Sequence, residues 1–117
     1  MSRLDGDKDE QSSLIRRIIE ITEENFSDPD LSISSIAQEL SYNPKYLSHI
    51  FKKQMVMGYS EYLRNYRINY AVSLFNYGID SVKNIAFLSG FSDPLYFSNV
   101  FKKVMGISPK DYKAKKL

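Results

Sequence analysis

The stretch Gly90-Phe91-Ser92-Asp93-Pro94-Leu95-Tyr96-Phe97-Ser98-Asn99-Val100-Phe101-Lys102-Lys103 decides how the rest of the chain is read. A short apolar helix is predicted before it, from Ser81 to Ser89, carrying Val82, Ile85, Ala86 and Phe87. Gly90 has no Cβ and so admits φ > 0, which a sharp turn between two helices requires. Asp93-Pro94 reads as an N-cap followed by proline at the first helical position, where the missing N–H costs nothing. Phe97, Val100 and Phe101 then recur at i, i+3, i+4 on one side, while Leu95, Ser98, Asn99 and Lys102 take the other. A helix, a tight turn and a helix with a polar outer face ending in lysines is the sequence form of a helix-turn-helix.

The same pattern occurs twice. Aligned on Phe51 and Phe101, the halves match at an offset of 50. Pro44, Tyr46, Ser48, Phe51, Lys52, Lys53, Met55 and Tyr62 face Pro94, Tyr96, Ser98, Phe101, Lys102, Lys103, Met105 and Tyr112. Upstream of the turn the offset is 49, since Ile36-Ala37 matches Ile85-Ala86 and Tyr42 matches Phe91. One residue has been added in the second turn. Identities in the order that a helix-turn-helix requires make this repeat the strongest signal in the chain.

Around the repeat, the chain reads as helices separated by turn residues. Residues 1–11 are polar and aperiodic, and are expected to be a disordered leader, a linker from an upstream domain or residues of non-native origin. From Ser12 or Ser13 as N-cap, Leu14, Ile15, Ile18, Ile19, Thr22 and Phe26 fall on one helical face, and Asp28-Pro29-Asp30 stops the helix. The first helix-turn-helix is placed at about 32–53, with Ser32 and Asn43 as caps and Ile33, Ile36, Ala37 and Leu40 inward. A linker helix of about 58–77, expected to be the longest, has Leu63, Arg67, Ala71, Leu74 and Phe75 as its inner stripe and Gly78 at its end. The second helix-turn-helix occupies about 81–103, and Ser108-Pro109 opens a last helix. No stretch alternates with period two, so the expected fold is all-α with about seven helices and one domain spanning 12–117.

The linker helix has a geometric meaning. Roughly 20 residues at 1.5 Å each give ~30 Å, close to the ~34 Å between successive major grooves on one face of B-DNA. A repeated motif can thereby do within one chain what most helix-turn-helix proteins do as dimers.

Composition narrows the function. The chain has 117 residues, no cysteine and one histidine, which leaves no thiolate nucleophile, no disulfide framework and no expected metal centre or cofactor. The acidic residues gather in residues 1–30, nine against four basic, a net of −5; residues 31–117 carry twelve basic and five acidic, a net of +7. A basic body suggests a polyanion partner, although many helical surfaces are lysine-rich only for solubility. No apolar run approaches a membrane span and no signal core opens the chain, so a cytoplasmic location without membrane contact is expected. An enzyme would need a nucleophile–base pair, pocket carboxylates or metal ligands, and none is assembled here.

From about Leu31 to Tyr112, about seventy per cent of the chain, the sequence resembles the DNA-binding domain of AraC/XylS-type transcription regulators. The residues that carry the resemblance are Ile85-Ala86, Gly90-Phe91-Ser92-Asp93, Tyr96-Phe97, Phe101-Lys102-Lys103, Gly106, Ser108-Pro109 and Tyr112, with Tyr62-Leu63, Arg67-Ile68, Ala71 and Leu74-Phe75 resembling its linker helix. The resemblance implies two helix-turn-helix units joined by a long helix and acting on double-stranded promoter DNA. It also implies that such a domain usually follows an effector-binding or receiver domain, although some members stand alone. Its recognition positions correspond to Lys45, Ser48 and His49 in the first unit, and to Pro94, Leu95, Ser98 and Asn99 in the second.

Lys52, Lys53, Lys102 and Lys103 are expected to neutralise phosphates, or else to be solubilising helix ends. Three departures from the family pattern stand out. Val56 occupies the place of Gly106, so the first recognition helix is expected to end less cleanly. Leu88-Ser89 looks shifted against Glu39-Leu40. Asn99 replaces the basic residue often found there, and Pro94 and Leu95 cannot form bidentate base hydrogen bonds. The second unit is therefore expected to contribute more to positioning or thymine-methyl contact, and sharper base reading is expected of Lys45, Ser48 and His49. Arg67, on the inner stripe, is expected to form a structural ion pair in preference to a DNA contact, and most aromatics are expected to be core. The competing reading is a protein-interaction module that contacts RNA polymerase or another regulator and binds DNA weakly.

Overall fold

A computed structural model describes the backbone from Arg3 to Lys116 and side chains from Asp9 to Lys115. Among these residues there are seven helices and no strand: α1 (Arg3–Asn25), α2 (Ile33–Leu40), α3 (Pro44–Met55), α4 (Tyr59–Asn76), α5 (Val82–Leu88), α6 (Pro94–Met105) and α7 (Pro109–Lys116). They form two compact units. One comprises the chain up to Asn25 together with Asp30–Tyr62, the other Phe26–Pro29 and the chain from Leu63 onward.

In the first unit α1 buries Leu14, Ile15, Ile18 and Ile21 and packs against α3, which buries Leu47, Ile50 and Phe51. Each such side chain removed from water contributes about 1.5–3 kcal/mol before conformational entropy is counted. Phe51 meets the rings of Tyr59 and Tyr62 edge-on, with centroids 5.4 and 5.3 Å away. The polar members of this core are satisfied. Thr22 gives its hydroxyl proton to the Ile18 carbonyl at 2.8 Å, so Tyr59 is the donor in the 2.7 Å contact between the two hydroxyls.

Helix α1 starts at Arg3 instead of at Ser12 or Ser13, so residues 3–11, for which a disordered leader was one of the three expected readings, are helical; Met1 and Ser2 lie outside the described residues. Nothing between Arg3 and Ser12 forbids a helix. Even Gly6, as a residue type, lowers helix propensity by only about 1 kcal/mol. Ser12 and Ser13 therefore stand exposed inside the helix. With 23 residues against 18, α1 and not α4 is the longest helix. Its inner face uses Ile21 where Ile19, half-buried, was expected.

The second unit is built around α4, whose predicted stripe of Leu63, Arg67, Ala71, Leu74 and Phe75 is buried throughout, with Ile68 added. Ile85, Ala86, Phe91, Phe97, Val100 and Phe101 complete that core. Phe26 rests against Tyr66 and Tyr70, ring centroids 5.1 and 4.7 Å apart. Gly78, at φ +90°, ends α4 as predicted. Lys113 fastens α7 by an ion pair to Asp80 at 2.6 Å and a hydrogen bond to its carbonyl at 2.8 Å.

Fewer aromatic residues are core than expected: Phe51, Tyr59, Phe75, Phe91, Phe97 and Phe101 are buried, whereas Tyr46, Tyr70, Tyr77 and Tyr96 are exposed. Phe87 also turns outward with Leu88, because in a helix whose inner positions are Ile85, Ala86 and Ser89 both fall off that face.

Candidate nucleic-acid interface

Each unit presents the second helix of a helix-turn-helix, set by the same local chemistry. The Asn43 side chain accepts hydrogen bonds from the N–H groups of Lys45 (2.8 Å) and Tyr46 (3.4 Å) and starts α3. Asp93 accepts from Leu95 N–H at 3.0 Å and starts α6, and proline follows both caps. The preceding helices end in one motif. Tyr42 N–H bonds the Ala37 carbonyl and Phe91 N–H the Ala86 carbonyl, both at 2.9 Å, with Ser41 (φ +61°) and Gly90 (φ +97°) left-handed. Since Ser41 matches Gly90 and Asn43 matches Asp93, the residue added in the second turn is Ser92.

The burial of residues 45–62 repeats, position for position, that of residues 95–112. In both recognition helices the apolar face points in and the face named from sequence points out. Lys45, His49, Lys52 and Lys53 are exposed and Ser48 is half-buried; Leu95 (69% exposed), Asn99, Lys102 and Lys103 are exposed, and Pro94 and Ser98 are half-buried.

The structure brings most of the first set together. Lys45, Ser48, His49 and Lys52 line one open groove of about 530 Å³ with Pro44, Ile33 and Ser34. Lys53, one residue further round α3, lies outside that lining. Ile33 and Ser34, in the first turn of α2, were not among the predicted site residues. Their place just after the Ser32 cap was the available signal, but only the packing of α2 on α3 turns it into a shared groove. The outer face of α6 carries Leu95 and Asn99 where α3 carries Lys45 and His49. The first face is therefore the more basic, and the second offers an amide, a hydroxyl and apolar surface.

Val56 closes α3 as Gly106 closes α6. Their N–H groups bond the carbonyls of Lys52 (3.0 Å) and Lys102 (2.8 Å), at φ +64° and +84°. The less clean end expected for α3 is absent; the strain is taken by Val56 instead. The shift at Leu88-Ser89 resolves as Ser89 fully buried, its hydroxyl without a hydrogen-bond partner, and Leu88 outside.

The helix-turn-helix domain family model matches residues 36–115. This chain belongs to the AraC/XylS family. Relatives agree with the AraC/XylS assignment. The arabinose operon regulatory protein of Escherichia coli is 31% identical over 100 residues, covering 86% of this chain and 34% of that protein. An uncharacterized HTH-type transcriptional regulator of Bacillus subtilis, YtdP, is 39% identical over 99 residues, covering 85% of this chain and 13% of that one. Among solved structures, the C-terminal domain of AraT, a response regulator from Geobacillus stearothermophilus, superposes with a TM-score of 0.84 at 32% identity, covering 86% of this chain and 84% of that domain. AraC/XylS membership makes the chain a helix-turn-helix DNA-binding domain of the kind found in transcription regulators, a family of regulators and not of enzymes. It spans 13% to 36% of the length of the first curated relatives it matches. No helix among the described residues is long and apolar enough to cross a membrane.

Proposed function

We propose that this domain binds double-stranded promoter DNA sequence-specifically, with α3 and α6 entering successive major grooves. The observation that carries this reading is the groove of α2 and α3, in which Lys45, Ser48, His49 and Lys52 converge on one exposed face. Lysine and histidine donors suit guanine O6 and N7, and a serine hydroxyl suits either donor or acceptor edges. On α6, Asn99 suits adenine, Ser98 is adaptable, and Pro94 and Leu95 offer contact to sugars or a thymine methyl. Lys52, Lys53, Lys102 and Lys103 neutralise flanking phosphates, adding affinity without sequence information.

Selection of bound sites from a random duplex pool tests the proposal. The wild type should enrich two blocks of base preference. The double variant Lys45→Ala, His49→Ala should weaken one block by at least about tenfold, the size expected when a base hydrogen bond is removed. If the double variant selects the same sequences with the same strength, the assignment of α3 is wrong.

Exposed Phe87 and Leu88, 47% and 48% accessible, support a second role as a protein-contacting face, with RNA polymerase as the partner that transcription control would supply. The response-regulator origin of the AraT domain supports an upstream receiver or effector-binding domain in the full-length protein.

A further inference from the structure

The two helix-turn-helix turns share hydrogen bonds but not surroundings. In the first, left-handed Ser41 is exposed and its motif closes on the carbonyls of α2 alone. In the second, Gly90 is packed against the chain that leaves α1. A Cβ there would overlap the Phe26 carbonyl oxygen and come within 2.7 Å of Arg67 Nε. Arg67 is 8% exposed on the inner stripe of α4. Its Nε donates to the Phe26 carbonyl at 2.9 Å and its Nη2 to the Asp28 carbonyl at 2.8 Å. The guanidinium carbon lies 5.8 Å from the centre of the Phe91 ring. Phe91 in turn meets Tyr96 and Phe97, both in the first turn of α6, with ring centroids 5.9 and 5.1 Å away.

A buried guanidinium is costly unless its planar donors are used, and two main-chain carbonyls at fixed spacing use them in a way that a lysine ammonium cannot. We infer that Arg67 is a positioning residue for the second recognition helix: it clasps the main chain of Phe26 and Asp28 and holds the Gly90-Phe91 turn from which α6 starts. The inference rests on the reading of α6 as a DNA-reading helix. It goes beyond it by making the base preference of one unit depend on an arginine that touches no DNA. The exposed first turn has no such dependence on Arg67.

The test uses the full chain and three variants. Arg67→Met keeps bulk but removes the donors, Arg67→Lys keeps the charge, and Gly90→Ala forces the clasp apart from the other side. In selection from random duplexes, the block that Asn99→Ala weakens should fall about tenfold in enrichment with Arg67→Met or Gly90→Ala, the size of one charged hydrogen bond. Arg67→Lys should be intermediate, and the block that Lys45→Ala weakens should be retained. Loss of both blocks together, or of neither, overturns the inference.

Amide exchange reads the clasp without DNA. Exchange at Phe91 and Phe97 should quicken about tenfold in Arg67→Met, while the matched amides Tyr42 and Leu47 keep their rates. Equal quickening in both units, or none, overturns the inference. If Arg67→Met does not fold, the same comparison is made with Arg67→Lys. If the wild type selects no sequence, the DNA-reading proposal fails while exchange still decides the clasp.

Discussion

Val56 combines two features that oppose each other, a β-branched side chain and a left-handed backbone at φ +64°, and at 88% exposure it gains no burial in return. The left-handed conformation costs an L-residue about 1–2 kcal/mol, and part of that is recovered on changing to glycine, whose unfolded chain has more freedom to lose. Val56→Gly is therefore expected to raise folding stability by about 1 kcal/mol, read as a higher denaturant midpoint at unchanged slope. An unchanged or lower midpoint would show that Val56 carries no strain. The position is legible from sequence, because the repeat sets Val56 against Gly106. The outcome is not, because it depends on the Val56 N–H keeping its bond to the Lys52 carbonyl, which holds the helix end in place and moves the cost into one residue. Ser89 is legible in the same partial way. Its match to Leu40 marks an inner position, but a hydroxyl buried without a partner follows only from the assembled core.

At the level of elements, legibility follows how local the deciding physics is. The caps at Ser32, Asn43, Asp93 and Ser108 are set by side chains acting two or three residues ahead, and all four are read directly. The stripe of α4 is a periodicity and is read as well. The start of α1 is neither periodic nor capped within the described residues, so the serines at 12 and 13 mislead.

What α1 gains by reaching back includes one contact with the first unit's turn, in which the Tyr42 hydroxyl donates to a Glu10 carboxylate oxygen at 3.1 Å. That hydrogen bond, then burial and then the neighbouring negative charge raise the Tyr42 phenol above its ordinary value of 10.0. A phenol raised in the folded state favours its neutral form there. Its contribution is fully present below about pH 10 and lost as pH rises through the higher folded value. Glu10→Ala should lower the ionisation midpoint of Tyr42, followed by the ring carbon shifts in an NMR titration, and leave the spectrum of α3 unchanged near neutral pH. An unmoved midpoint would mean that the arm of α1 does not hold this contact in solution.

Over the whole molecule, charge is the property that separates a DNA-binding surface from a merely soluble one. The net of −5 in residues 1–30 and +7 in the remainder places the lysine pairs Lys52-Lys53 and Lys102-Lys103 on the basic side of that division. Both pairs sit in the last turns of α3 and α6, where cations also suit the negative helix end, so exposure alone assigns them no partner. Salt dependence does. Each phosphate neutralised releases counterions and adds about 0.9 to the slope of log affinity against log salt for duplex DNA, whereas a lysine serving only its own helix adds nothing to that slope.

Replacing either pair by glutamine is expected to flatten the slope by about 0.9 for each phosphate that is no longer neutralised, to weaken all duplexes alike, and to change folding stability by less than about 1 kcal/mol per lysine. Titrations at several salt concentrations against one selected and one random duplex measure this for each pair separately. A slope that stays steep without a given pair makes that pair a solubilising helix end, and assigns the phosphate grip of that unit to other residues. A flatter slope that appears only with the selected duplex makes the pair part of sequence reading, which the place of Lys52 in the α3 groove allows.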